Sequence, residues 1–248
     1  MRRASLVFAV MFVTGAAGAA RAQDIVKLSP LEQAIACAPP PTYDDATTHA
    51  LRIVGSQDTI PRSLFGNRDT LVIGGGTAAG VQLGQQYFIR RSIYFGSSEH
   101  SRGSRTLGWI HVIAVNDTTA IAMVDHACGG MVVSDYLEPY TAPVLPPSVD
   151  ANVNLGEPDF GVLGHIVVGN EDRDIAGVGD FVLIDWGAAH GLMPGTRFAI
   201  YRDVGVNSLP LASIGEGVVI STGNAMALTR ITRARDAVFA GDYVALRK

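Results

Sequence analysis

Residue types that could do chemistry occur along this 248-residue chain, but none of them follows a strong catalytic spacing. Asp125, His126 and Cys128 could form half of a metal site, or they could mark a strand that ends in a loop with a bonded cysteine. Asp44–Asp45 and Asp172–Asp174 could pair carboxylates for acid–base work, or they could belong to solvated loops. No serine stands in a nucleophile-elbow motif. We therefore predict no catalytic, cofactor-binding or metal-binding residues and no enzymatic activity.

One long turn in the second half of the chain groups residues that could contact a ligand. They are Trp186, His190, Tyr201 and Arg202. An aromatic ring and a guanidinium can hold a sugar or a peptide by stacking and hydrogen bonding. The alternative is structural, with Trp186 covering the end of a barrel and Arg202 closing an ion pair. A ligand site here would belong to this half only, because Gly75 replaces the tryptophan in the other half.

A glycine-rich stretch, TLVIGGGTAAGVQLGQQYFIRR at 70–91, is similar to the turn that binds dinucleotides. That turn requires a helix directly after its glycines, because the helix N-terminus holds the pyrophosphate. Here Gly84 and an aromatic run follow, and they favour a strand. We therefore expect no nucleotide. We also expect no nucleic-acid partner, because acidic residues outnumber basic ones by 23 to 19 and the basic ones form no stripe.

The strongest signal in the chain is an internal repeat. Residues 72–91 align with residues 183–202 without a gap, and seven of the twenty positions are identical. The repeat predicts two copies of one β module, at 50–138 and 164–248, joined by a Pro-rich linker at 139–163. Glycines recur at matched places in both copies, where we expect them to supply positive φ angles in a long turn: Gly76, Gly80 and Gly84, and Gly187, Gly191 and Gly195.

The strand pattern of each copy is typical of a small β structure. Residues 108–115 and 120–126 flank a polar turn, and residues 215–221 and 225–231 do the same, so each pair predicts a hairpin. With five or six short strands in about 80 residues, each copy is predicted to be a small barrel or sandwich. The fold class is therefore all-β, with two tandem modules.

The N-terminal region has two distinct parts. Residues 1–22 combine a short basic start, an apolar run and a small-residue cleavage motif, which predicts a signal peptide and export across the inner membrane. The alternative is a membrane anchor, although the run is short and rich in Ala and Gly. Within the segment 23–49, Ser29 and Glu32 flank a proline as in a capping box, which predicts a short helix.

The chain has two cysteines, Cys37 and Cys128. In an oxidising compartment such a pair favours one disulfide, which would tie the N-terminal segment to the first module. The alternative is two unrelated buried thiols.

A motif in the second copy carries a family resemblance. It runs G-D-x-V-x-I-x-x-G-x-x-x-G-L-x-x-G-x-x-F-x-I-Y-R from Gly179 to Arg202, and VFAGDYV follows at 238–244. This resembles the C-terminal domain of flagellar assembly protein T and related modules of LysM-containing bacterial envelope proteins. The resemblance implies an SH3-like barrel that works without catalysis in an envelope assembly.

Together these features predict a secreted, periplasmic protein that binds envelope proteins or peptidoglycan. We expect a binding or adaptor role, no cofactor and no transmembrane span after signal cleavage. A peptidoglycan- or glycan-binding module is the first alternative. The second is a hydrolase whose catalytic group forms only in the folded chain, which a His–Asp pair in a cleft would favour.

Overall fold

A computed structural model describes residues 28–42, 49–94, 102–146, 149, 156–169, 173, 175–205 and 210–247. The predicted signal peptide at 1–22 lies outside these residues, as do both predicted carboxylate pairs. Within the described ranges, no helix is long and apolar enough to cross a membrane.

The single α-helix of the described residues is α1, Pro30–Cys37. The predicted capping box is confirmed: the Ser29 hydroxyl accepts a hydrogen bond from the Glu32 backbone N–H, and the Glu32 carboxylate accepts one from the Ser29 N–H. These two bonds satisfy backbone donors that the first turn of a helix leaves without partners. The helix therefore begins where local sequence chemistry directs it.

In the described parts of the chain, all other regular elements are β-strands, apart from two 3-10 turns. We call residues 53–139 the first unit and residues 164–246 the second unit. The strands of the first unit are β1 Ile53–Ser56, β2 Leu64–Phe65, β3 Thr70–Ile73, β4 Gln86–Tyr94, β5 Arg102–Val115, β6 Ala120–Ala127, β7 Met131–Val132 and β8 Tyr136–Pro139. Those of the second unit are β9 Gly164–Gly169, β10 Ile175–Ala176, β11 Phe181–Ile184, β12 Arg197–Arg202, β13 Ala212–Thr222, β14 Ala227–Ala234, β15 Val238–Phe239 and β16 Tyr243–Leu246.

The main sheets of the two units have their strands in the same order. The first unit forms a six-stranded antiparallel sheet, β1-β3-β6-β5-β4-β8, whose outer strands approach at an Arg52–Tyr136 bridge. The second unit forms a closed barrel, β9-β11-β14-β13-β12-β16. Each unit adds a two-stranded ribbon, β2 with β7 and β10 with β15. The predicted all-β class, a closed barrel in the second unit and both hairpins, β5–β6 and β13–β14, are confirmed.

The recurring turn glycines serve two different physical needs. Gly80, Gly84, Gly191 and Gly195 have the positive φ angles that we predicted. Gly76 does not, because its φ is −132° and its role is steric: a Cβ there would lie 2.0 Å from the carbonyl oxygen of the β5–β6 hairpin turn. Gly187 has the same role in the second unit: its φ is −137°, and a Cβ there would lie 2.5 Å from a carbonyl oxygen of the β13–β14 turn. In both units these glycines let a 3-10 turn dock on the hairpin.

Helix α1 lies between the two units and packs on both of them. Its Ala36 joins an apolar cluster with Phe88 and Trp109 on the outer face of the first sheet. Its Ile35 joins a second cluster with Phe181 and other residues on the outer face of the barrel. The barrel strand β11 is therefore buried on both faces, which explains its unbroken apolar sequence.

Candidate functional sites

The end of the barrel where β11 leads into its 3-10 turn is covered by an indole. Trp186 is only 8% exposed and packs in the barrel core. The imidazole of His190 stacks on it, with ring centroids 5.9 Å apart, and accepts a hydrogen bond from the Gly187 N–H at Nδ1. These contacts leave little of the indole surface for a ligand.

A reciprocal exchange of large and small residues accompanies this cover. Gly164 faces Trp186, and a Cβ at Gly164 would lie 2.9 Å from the indole. At the corresponding sheet positions of the first unit the sizes are reversed, since a Cβ at Gly75 would lie 2.2 Å from the side chain of Leu51. Strand register supports the correspondence. Ile53 pairs with Ile73 in the first unit and Ile166 pairs with Ile184 in the second, each two residues from the positions compared. Each unit thus closes this end with one large side chain.

A histidine and an aspartate form an exposed pair beside this end. His165 Nδ1 lies 2.9 Å from Asp185 Oδ2, and the other oxygen of Asp185 accepts the His165 backbone N–H at 2.6 Å. The ring of Tyr243 lies 5.1 Å from the imidazole. Such a pair could transfer a proton, but among the described residues no hydroxyl or thiol hydrogen-bonds to this imidazole. The carboxylate holds the ring and the strand in place.

The other two predicted contact residues of this turn lie elsewhere. Tyr201 packs against Phe160, with ring centroids 4.9 Å apart. Arg202 binds the buried carboxylate of Asp242 through two nitrogens, each at 2.7 Å, and this carboxylate raises the pKa of the guanidinium. The structure therefore brings Trp186 and His190 together but places Tyr201 and Arg202 in separate contacts.

A second His–Asp pair lies on the outer face of the first sheet. His111 Nδ1 is 2.6 Å from Asp125 Oδ1, and both side chains are mostly buried. Burial raises the pKa of nearby Tyr140, and the negative charges of Glu32 and Asp125 raise it further. The pair is formed across the β5–β6 hairpin, where His111 pairs with Met123, two residues before Asp125.

The predicted disulfide between Cys37 and Cys128 is confirmed. It joins the end of α1 to the segment after β6 and spans 91 residues of sequence. His126 lies beside it, and its imidazole stacks on Trp109 with ring centroids 4.6 Å apart and planes 18° apart. Both cysteines and this histidine are half-buried.

An open groove lies on the second unit, next to the β10–β15 ribbon. It has a volume of 430 Å³ and is lined by residues 175–178, Asp180 and residues 234–237. Ile175 and Val178 are exposed at its rim. The carboxylate of Asp236 is also exposed there, 3.7 Å from the Arg202 guanidinium.

The first unit fills the same place with larger and more polar side chains. Phe65, which is fully buried, stands where the second unit has Ala176. Asn67 stands where the second unit has Val178, and its side-chain oxygen accepts the Ala127 N–H at 2.6 Å. Valine cannot make this bond and alanine fills less space, so the second unit is left with the groove.

Sequence reasoning did not find the two His–Asp pairs or the groove. The partners of each pair lie on different strands, and their contact depends on register. A hairpin alignment of residues 109–126 would have placed His111 near Asp125, whereas no local pattern links His165 to Asp185. Comparison of the sequence with protein-family models and with curated proteins finds no match.

Proposed function

We propose that this chain is a non-catalytic binding or adaptor protein of a bacterial cell-envelope assembly, secreted to the periplasm. In this proposal its two units are tandem SH3-like modules that arose by internal duplication. The resemblance to envelope modules and the sequence repeat motivate the proposal, and a groove in the second unit supplies its binding site.

Matched ion pairs support the duplication. Arg91 binds the buried carboxylate of Asp135 through two nitrogens, and it also donates to a backbone oxygen just before β7. Arg202 makes the same contacts with Asp242 and with the backbone just before β15. In both units the second carboxylate oxygen also accepts a backbone N–H of the ribbon. Strands, turns and ion pairs thus recur together.

The observation that carries the binding role is the open groove of the second unit. Its volume of 430 Å³ is within the range of sites that accept a side chain or a small ligand. Ile175 and Val178 are 55% and 63% exposed, which costs free energy in water and is relieved when a partner covers them. Side chains fill this place in the first unit, whereas the second unit has an open groove there.

The chemistry of the groove favours one kind of occupant. Its floor and rim are apolar at Ile175, Ala176 and Val178, so they suit an apolar side chain. Two carboxylates, Asp180 and Asp236, lie at its edge, and two guanidiniums balance them: that of Arg235 in the lining and that of Arg202, 3.7 Å from Asp236, so the local charge favours neither sign. We therefore propose an extended segment of an envelope protein that presents an apolar side chain to the groove.

Photo-crosslinking in the native bacterium tests this assignment. A photoreactive residue at Ile175 should yield an adduct with one envelope protein, joined at an extended segment with an apolar side chain that mass spectrometry identifies. The same residue at Leu64, the equally exposed position of the first unit, is the matched control and should yield no such adduct. Identical products from both positions would refute a role for the groove.

The substitution Val178→Asn provides the second test, because it places the groove-closing residue of the first unit in the second. We expect binding of a synthetic peptide of the crosslinked segment to weaken at least about tenfold, the effect of losing a central contact. Thermal unfolding should change little, since Val178 is an exposed position. Unchanged affinity would contradict the proposal.

Peptidoglycan binding is separated by a sedimentation assay. The purified protein should stay in the supernatant when purified peptidoglycan is pelleted, because the binding site proposed here recognises a peptide. If the protein co-sediments with peptidoglycan and the Val178→Asn variant does so equally, the glycan-binding alternative is supported and the adaptor role of the groove is rejected.

A further inference from the structure

The disulfide of the first unit has an imidazole within ligand distance. Cys37 Sγ, Cys128 Sγ and a ring nitrogen of His126 all lie within 4.8 Å of one another. Once the sulfurs are reduced, two thiolates and one imidazole are the ligand set that thiophilic d10 cations prefer. The cluster therefore holds a metal-ligand set that the disulfide masks.

Contacts other than the disulfide also hold both cysteines. The Cys128 N–H donates to the Leu107 carbonyl at 2.8 Å. On the other side, the residue after Cys37 is buried: Ala38 packs against the barrel, and its carbonyl accepts the Thr106 hydroxyl at 2.8 Å. Backbone hydrogen bonds and packing should keep both sulfurs close after reduction.

The imidazole is also held in place by its surroundings. Its ring lies parallel to the indole of Trp109, which fixes the plane of the ring. Its backbone is pressed against Gly108, where a Cβ would lie 2.1 Å from the His126 carbonyl oxygen. A ligand whose orientation is set before binding pays less entropy when the metal arrives.

We propose that the reduced first unit binds one thiophilic d10 cation, Zn²⁺ or Cu⁺, through Cys37, His126 and Cys128. A dithiol reductant supplies two electrons and two protons, which break the S–S bond to give two thiols, and the reductant becomes a disulfide. Metal binding then displaces the two thiol protons. The second unit lacks this ligand set, because Arg233 and Arg235 stand at the places of His126 and Cys128. A Cβ at Gly215 would meet the Arg233 carbonyl as one at Gly108 meets that of His126. The Arg235 N–H donates to Ile214 as the Cys128 N–H does to Leu107.

Anaerobic titration of the full folded chain tests the proposal. After reduction by dithiothreitol and its removal, Zn²⁺ is titrated against a chromogenic chelator, and Cu⁺ against a Cu⁺-specific chelator in a separate arm. We expect one equivalent of cation per chain and release of about two protons, with no such binding by the oxidised protein. The arm with the tighter competition identifies the preferred cation.

Variants assign the ligands. His126→Ala leaves both cysteines in place, and thermal unfolding of the oxidised variant checks that it folds. It should weaken binding by the reduced chain by about tenfold or more, since even second-sphere changes cost about 10–100-fold. His165→Ala, which removes an exposed imidazole of the second unit, is the matched control and should bind like the wild type. Equal binding by oxidised and reduced protein, or wild-type affinity in His126→Ala, would overturn the proposal. These residues lie outside the groove, so the outcome is independent of peptide binding there.

Discussion

The exchange of large and small residues at the barrel end makes a quantitative prediction for a double-mutant cycle. Trp186→Gly copies the first unit and removes a core indole that is 8% exposed, which should lower the free energy of unfolding by about 3–5 kcal/mol. Gly164→Leu alone forces a side chain into the space of the indole, where a Cβ already lies 2.9 Å from the ring, and should cost about 1–3 kcal/mol.

The double variant should recover part of this loss. The leucine introduced at position 164 would then cover the glycine introduced at position 186, as Leu51 covers Gly75 in the first unit, so both the cavity and the clash are reduced. We expect a favourable coupling of about 2–3 kcal/mol between the two changes, which contacting residues can reach. The double variant should also be more stable than Trp186→Gly alone.

The assay is unfolding in urea with the disulfide intact. Far-ultraviolet circular dichroism and the fluorescence of Trp109 are used to detect the unfolding. Trp109 remains as the only tryptophan once Trp186 is replaced, because the chain has two. If the losses of unfolding free energy in the two single variants sum to that of the double variant within about 0.5 kcal/mol, the two side chains do not share one space. That result would refute the steric correspondence between the units.

Two further predictions concern bonds that hold the units together and in shape. Replacing Cys37 and Cys128 by serine removes a disulfide that spans 91 residues of sequence. In urea denaturation this should lower the free energy of unfolding by at most about 4–5 kcal/mol. No measurable loss would show that the disulfide does not restrict the unfolded chain. Asp242→Asn leaves the Arg202 guanidinium beside a buried neutral amide and should cost about 3 kcal/mol in the same assay. The exposed Asp236→Asn is its control and should cost less than about 1 kcal/mol.

Local sequence chemistry was sufficient for several elements. The capping box of α1 is formed by residues three apart, and the hairpins are formed by strands joined through short turns. The recurring glycines marked the turns correctly. For Gly76 and Gly187, however, the reason is the close approach of a hairpin backbone, which a sequence pattern does not distinguish from a positive φ angle.

The candidate sites depended on contacts between distant residues. Of the four residues grouped around the second turn, Trp186 and His190 stay together, whereas Tyr201 and Arg202 diverge because adjacent positions of a strand point to opposite faces of a sheet. Tyr201 faces Phe160 and Arg202 faces Asp242, while Trp186 turns into the core. Proximity in sequence therefore grouped four residues that the fold places in separate contacts, apart from Trp186 and His190.

By itself, the sequence determined the β class of this protein, the capped helix, the turns and the one possible cysteine pair, because propensity, periodicity and composition act over a few residues. Only the tertiary structure decided that the helix packs between two units, that an imidazole lies beside the disulfide, and that one unit carries an open groove. These arrangements depend on side-chain volume and strand register, and both take effect only when elements far apart in the chain pack together.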